Sequence, residues 1–383
     1  MRQTVRSDAT INAPFRPSTL VVMLALFAAV GMAGVTSPAW AALEGRAQVE
    51  GSFLDHPQGY ADEKAAGTVS PLLRLSWTPD APGAVWRLLY EGSWQRPQEP
   101  SALDQQDHAV SIEWSPASAE NGTGASAGAR VRMHAYQGEY QPYRFWGTDG
   151  YFAWRARPCA GSLLRSTAEL QARRYPDLPE ESSVIAAGRA DLQRFLRSGT
   201  TLGLLAEAAY KIHPDPAAKR VWNEEGIPTA VRFRTRFNAA QALGSRAGLR
   251  LALEARAVPN AIPFVSADGV VDTPLLDEFA ASGGSGETVL KLSLPREFWV
   301  EVGGGAARWD YGALRFLTAD ALAPSGRVDD ERWVFLLAER SFARGNANTL
   351  HTNLRLQWNR RDSSVAAYAY RGPGVTAGLA WDF

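Results

Sequence analysis

The chain has 383 residues, 21% of them charged, with 40 basic side chains balancing 40 acidic ones and a mean hydropathy of -0.22. Neutral net charge behind an export signal excludes nucleic acid as a natural partner. The single cysteine, Cys159, excludes an internal disulfide and a cysteine-based metal site, and no phosphate-binding glycine loop or calcium loop is present, so no cofactor is expected.

Arg2, Arg6 and Arg16 precede an apolar run from Leu20 to Val35, followed by Ser37, Pro38, Ala39, Trp40 and Ala41. This is the order of a secretory signal peptide, so residues 1–41 are expected to be removed by cleavage after Ala41. An uncleaved membrane anchor is the alternative reading, since the run is about the lower limit for spanning. No cysteine lies near the site to carry a lipid. Residues 42–383 then form the working protein, with no stretch apolar enough for a membrane helix.

Alternation of apolar and polar residues predicts sixteen strands in that remainder. They fall at 44–53, 70–78, 85–95, 108–115, 130–138, 151–157, 163–174, 184–197, 201–213, 230–238, 246–258, 287–294, 298–309, 332–342, 349–359 and 374–383. In the third, Trp86, Leu88, Tyr90 and Trp94 oppose Arg87, Glu91, Ser93 and Gln95; in the ninth, Leu202, Leu204, Ala206, Ala208, Tyr210 and Ile212 share a face. The eighth alternates poorly, and Glu180, Glu181, Ser182 and Ser183 ahead of it suit a helix cap as well. Fourteen strands is the fallback count and twelve is possible.

The last segment sets Val375, Ala377, Leu379 and Trp381 against Thr376, Gly378, Ala380 and Asp382 and ends on Phe383. Its length suits a tilted membrane strand, which requires about 9 to 11 residues; an edge strand of a soluble sheet is the alternative. Thirteen tryptophans, several on the apolar phase, are candidates for aromatic girdles. The fold class expected is therefore all-β: a transmembrane up-and-down antiparallel β-barrel whose strands keep charge in the lumen and show apolar side chains to lipid.

The connections alternate short and long, as such a barrel requires. Only 116–129, rich in Gly, Ser and Ala, is longer than its place predicts. An even strand number puts both termini in the periplasm.

On the inward phase the tenth strand carries Arg232, Arg234, Arg236 and Asn238, and its neighbour adds Arg250, Glu254 and Arg256. Three arginines at spacing two rise by roughly 6.5 to 7 Å per step on one face, a basic ladder on a pore wall. Arg74, Arg87, Arg130, Arg132, His134, Arg165, Arg173 and Arg355 share that phase with Glu91, Glu113, Glu169 and Asp382. Such charges either select permeants by sign or pair across strands and fill the interior. The 259–286 segment, with Asp268, Asp272, Asp277 and Glu278, either folds into the pore against the ladder or stands outside it. Gly303, Gly304 and Gly305 inside a strand predict a bulge or a closely packed neighbour.

His134 and His351 offer bases beside Ser111, Glu113 and Glu339 for a barrel-borne hydrolase, the second alternative, but spacing alone shows no oriented nucleophile and base. No enzyme activity is expected.

The export signal and the closing strand resemble Gram-negative outer-membrane β-barrels in general. That resemblance implies outer-membrane lipid and the barrel assembly machinery as partners, with Val375, Leu379, Trp381 and Phe383 as the assembly signal. The final hairpin, with Trp358, Arg360, Arg361, Asp362, Ser363, Ser364, Tyr368 and Tyr370 ahead of Gly374, is similar to closing hairpins of barrels that export polysaccharide or assemble surface molecules. Two functions stay open: a porin-like channel for small polar or anionic solutes, and the barrel component of a surface-polysaccharide export or assembly system.

Overall fold

A computed structural model describes residues 42–54, 66–79, 84–97, 104–116, 123–215, 229–259, 278–311, 315–318, 321–324, 327–344 and 348–383. The predicted signal peptide lies outside them. The strands are β1 (Ala42–Leu54), β2 (Ala66–Thr78), β3 (Ala84–Pro97), β4 (Gln105–Pro116), β5 (Gly124–Tyr136), β6 (Phe145–Ala156), β7 (Ser162–Arg174), β8 (Ser183–Phe195) and β9 (Thr200–Ile212). They continue with β10 (Ala230–Ala242), β11 (Ala247–Ala257), β12 (Ser282–Leu294), β13 (Phe298–Asp310), β14 (Arg315–Thr318), β15 (Ala321–Pro324), β16 (Val328–Arg344), β17 (Asn348–Ser363) and β18 (Tyr370–Asp382).

All but β14 and β15 form one closed antiparallel barrel of sixteen strands, each beside its neighbours in sequence, with β1 against β18 at the seam. β14 and β15 pair only with each other, a hairpin between β13 and β16 that the alternation did not predict. Closure leaves no strand edge unpaired, the condition for a sheet to stand in hydrocarbon. A 13-residue strand such as β9 is roughly 43 Å long at about 3.3 Å per residue, enough to cross an apolar band about 25 Å tall at a tilt and project beyond it.

Parity sorts the side chains. Val49, Leu204, Phe233, Leu253, Val302, Val334, Leu354, Trp358 and Leu379 face outward, each exposed, while the charged residues between them face the lumen. The eighth predicted strand is present as β8. The glycine- and alanine-rich stretch before the fifth is not a link: β5 begins at Gly124, so the connection is 117–123. Small side chains offer no apolar-polar contrast, and the alternation there was invisible for that reason. β12 likewise begins at Ser282, inside the segment expected to be loop.

Gly303, Gly304 and Gly305 make no bulge, since the β13–β16 register runs unbroken from Phe298↔Arg340 to Asp310↔Val328. They are a site of close packing instead. The Phe335 ring occupies the space a Cβ on Gly303 would need, and the Trp333 ring does the same at Gly305. At the seam, Gly45 and Phe383 exchange two backbone hydrogen bonds of 2.8 and 2.9 Å, and the Phe383 ring fills the place of a side chain on Gly45. Inside the lumen Asp382 holds the same seam, 3.7 Å from Arg46 of β1 and 2.9 Å from His351 of β17.

Candidate functional site

The lumen wall of β9–β12 carries the predicted ladder, because β10 is antiparallel to both neighbours and sets its inward arginines beside their inward acids. Arg232 is buried and donates to Glu207 on β9 at 2.5 Å. It also contacts Glu278, at the end of the long β11–β12 connection. Phe279 follows Glu278 and lies under the Arg232 guanidinium at 4.8 Å, packed on inward Ile185, Ala209 and Val258 and on Ala230. Residues 278–281 therefore fold against the inner wall at the top of the ladder. Asp268, Asp272 and Asp277 lie outside the described residues.

One step down, Arg234 donates to Glu254 at 2.7 Å, and Arg256 reaches the other oxygen of the same carboxylate at 3.2 Å while stacking on Trp309 at 4.8 Å. Arg250 pairs with Glu287 at 3.1 Å, and Trp333 also donates to Glu287. Arg236 stands opposite Glu254 in register, yet among the described residues it makes no ion pair. Arg355, on β17, faces the lumen with its guanidinium 4.4 Å above Phe335 and has no carboxylate partner among the described residues. The β9–β12 wall thus holds four ion-paired arginines and one, Arg236, whose charge is not neutralised locally, and Arg355 on β17 is a second such charge.

A second basic surface lines β3–β7. Arg155 and Arg165 are direct cross-strand partners, and with Arg87, Glu113 and Tyr151 they border a recess of about 420 Å³ near the short-turn end. Tyr151 donates to Glu113 at 3.1 Å. Like charges directly opposite one another are destabilising unless an anion or solvent screens them.

Sequence reasoning missed two clusters. At the long-loop mouth Arg327 is sandwiched between Tyr311 and Tyr368, 4.4 and 3.5 Å from the ring centres, and pairs with fully buried Asp329. Ser363 and Arg361 complete the surroundings of Asp329. Nothing in the alternation signals it, because it joins two connections to β16 and β17.

The other is at the short-turn end. Ser341 Oγ lies 2.9 Å from His351 Nδ1, and His351 Nε2 lies 2.9 Å from Asp382 Oδ2. This is the order nucleophile, base, carboxylate, in partners other than those weighed from sequence. Nucleophilic acyl transfer also needs donors aimed at a developing oxyanion. The Ser341 N–H is already spent on Glu297 O at 3.1 Å. The three side chains tie β16, β17 and β18 together beside the seam. His134, the other histidine considered, contacts Asp107 at 2.5 Å and stacks on Phe145.

Val375, Leu379 and Trp381 face outward on β18 and Phe383 follows it, also exposed, with the Trp381 and Phe383 rings 4.8 Å apart.

Neither a family description nor a curated protein matches this sequence. Solved structures do. OccAB3 of Acinetobacter baumannii is 8% identical, with 90% of this chain and 99% of that one covered at a TM-score of 0.51. OccAB2 of Acinetobacter baumannii gives 7% identity, 90% and 98% coverage and a TM-score of 0.50. The outer membrane protein OprD from Pseudomonas aeruginosa gives 10%, 90% and 92%, and 0.48. The likeness is one of fold: the chain is a sixteen-stranded barrel of the Gram-negative outer-membrane kind.

Proposed function

We propose that the protein is an outer-membrane channel that passes small polar or anionic solutes through a charged lumen. The observation that carries this reading is the pair Arg236 and Arg355, whose guanidiniums face the lumen without carboxylate partners on walls where the neighbouring arginines are neutralised. Fixed charge next to water selects permeants by sign and orients polar solutes. The fold shared with outer-membrane barrels supports a membrane location, and the leader at residues 1–41 supports export followed by cleavage.

The test is a planar-bilayer recording with ion-selectivity measurement. A steady open pore that prefers anions is expected, with the preference moving toward cations when Arg232, Arg234 and Arg236 are replaced by glutamine. Unchanged selectivity would reject the ladder as a selector. A closed barrel that co-purifies with a periplasmic protein would instead favour a role in surface-polymer export.

A further inference from the structure

We infer that the outward face of β16–β18 binds the phosphorylated headgroup of an outer-leaflet lipid. The inference rests on the membrane location proposed above and concerns the outside of the barrel, not the lumen.

The register places Arg332 opposite Arg360, and Arg360 opposite Arg371. All three have outward parity, shared with exposed Val334, Trp358 and Val375. Neighbouring strands lie about 4.8 Å apart, so three guanidinium stems start side by side across roughly 10 Å. Like charges directly opposite cost stability when nothing answers them. Arg360 is answered by Asp362 at 2.9 Å, an exposed pair, whereas Arg332 and Arg371 have no hydrogen bond or ion pair among the described residues. No other level of the described outward face sets three cations together.

Height gives the row its meaning. On β17 the outward residues run Leu350, Thr352, Leu354, Leu356 and Trp358 before Arg360. From Leu350 to Trp358 is about 26 Å along the strand, or about 20 Å of height at a tilt of about 40°. Trp358 therefore stands at the girdle and the arginines one step beyond it, at headgroup depth on the long-loop side. Asp330 and Asp362 occupy the next level up, with Arg308 3.6 Å from Asp330. A doubly charged phosphate supplies negative charge to Arg332 and Arg371, and a guanidinium matches its oxygens in a fork.

Native mass spectrometry of the purified folded protein, exchanged through detergent with diphosphoryl lipid A, reads the lipid retained. The wild type should keep it. The variant Arg332→Gln with Arg360→Gln and Arg371→Gln should lose retention by at least about tenfold. Lysine at the same three positions should restore most of it, and Arg174→Gln with Arg340→Gln, elsewhere on the outer face, should change nothing. Lipid A stripped of its phosphates should bind both proteins equally weakly. Heat-modifiable mobility on a denaturing gel confirms that each variant is folded, and its bilayer conductance is recorded in parallel. Equal retention by the wild type and the glutamine variant overturns the inference whatever the conductance shows, while absence of any pore in the wild type strikes only the channel reading. An oligomer lost in the glutamine variant would assign the row to a second copy of the chain and also overturn it.

Discussion

Arg327 closes a fork on Asp329: its Nε lies 3.0 Å from both carboxylate oxygens and its Nη2 2.5 Å from Oδ2. Neither residue reaches solvent appreciably, at 3% and 0% exposure. Two tyrosines cover the guanidinium and Ser363 donates to the carboxylate at 2.6 Å, so the pair anchors the β13–β16 connection to β16 and β17.

Asp329→Asn should lower the unfolding free energy by about 3–5 kcal/mol, because it leaves a buried cation without its counter-charge. Denaturant titration followed by far-ultraviolet circular dichroism reads the loss. Limited proteolysis should find new cleavage between residues 311 and 327. A midpoint within error of the wild type would show that the fork contributes nothing.

In the lumen, Arg236→Gln and Glu254→Gln should act with opposite sign. Removing one unit charge about 4 Å from a water-filled path alters the ion energy by about 1 kcal/mol. The anion-to-cation permeability ratio should then fall by about two- to fivefold in Arg236→Gln. Glu254→Gln frees Arg234 and Arg256 and should raise the ratio. It should also lower thermal stability, whereas Arg236→Gln, which orphans no partner, should leave it unchanged. Reversal potentials in a salt gradient decide the matter; equal shifts of the same sign would refute it.

Gly45→Val should impair closure. Its side chain would claim the space taken by the Phe383 ring, and overpacking of this kind costs about 1–3 kcal/mol. The fraction of heat-modifiable, folded protein after refolding should drop. Pairing the change with Phe383→Ala should recover part of it, since the ring is then gone.

Cys159 reports topology and titration together. It sits exposed in the β6–β7 turn, 3.2 Å from Ser162 Oγ and 2.9 Å from an Arg194 nitrogen. The hydrogen bond with Ser162, aided by the Arg194 charge, holds the thiol below its ordinary value. A lowered value means more thiolate at a given pH. Iodoacetamide labelling should therefore reach half its maximal rate at a lower pH in the wild type than in Arg194→Gln. A membrane-impermeant maleimide should label intact cells only after the outer membrane is permeabilised, if short turns face the periplasm; labelling without permeabilisation reverses the orientation.

Most of the architecture was legible because a barrel strand writes its two environments as a two-residue repeat. The repeat failed where its contrast disappeared. Gly124 to Ala129 and Ser282 to Gly286 are too small to show a face, so β5 and β12 were read short. Asp330, Arg360 and Asp362 are outward and charged, so the alternation starts after β16 begins and stops before β17 ends. The ladder could be read since its members share one strand and one phase. Its partners could not: Glu278 with Arg232, Asp329 with Arg327 and His351 with Asp382 depend on which segments meet in space. Pairing with acids on the neighbouring strands separates Arg232, Arg234, Arg250 and Arg256 from Arg236 on the same wall, and no periodicity encodes it.

The seam between β1 and β18 joins the two segments farthest apart along the polypeptide. Every other barrel contact forms between strands that follow one another around the wall, but this one must wait for β18, and it carries the largest chain-entropy penalty. Until then the sheet is open along two margins whose amides and carbonyls invite any passing strand. A copy interrupted during synthesis, or clipped at its carboxyl end, keeps that sticky state permanently. Closure is thus chemically self-reporting, since only a barrel that holds both β1 and β18 covers those margins.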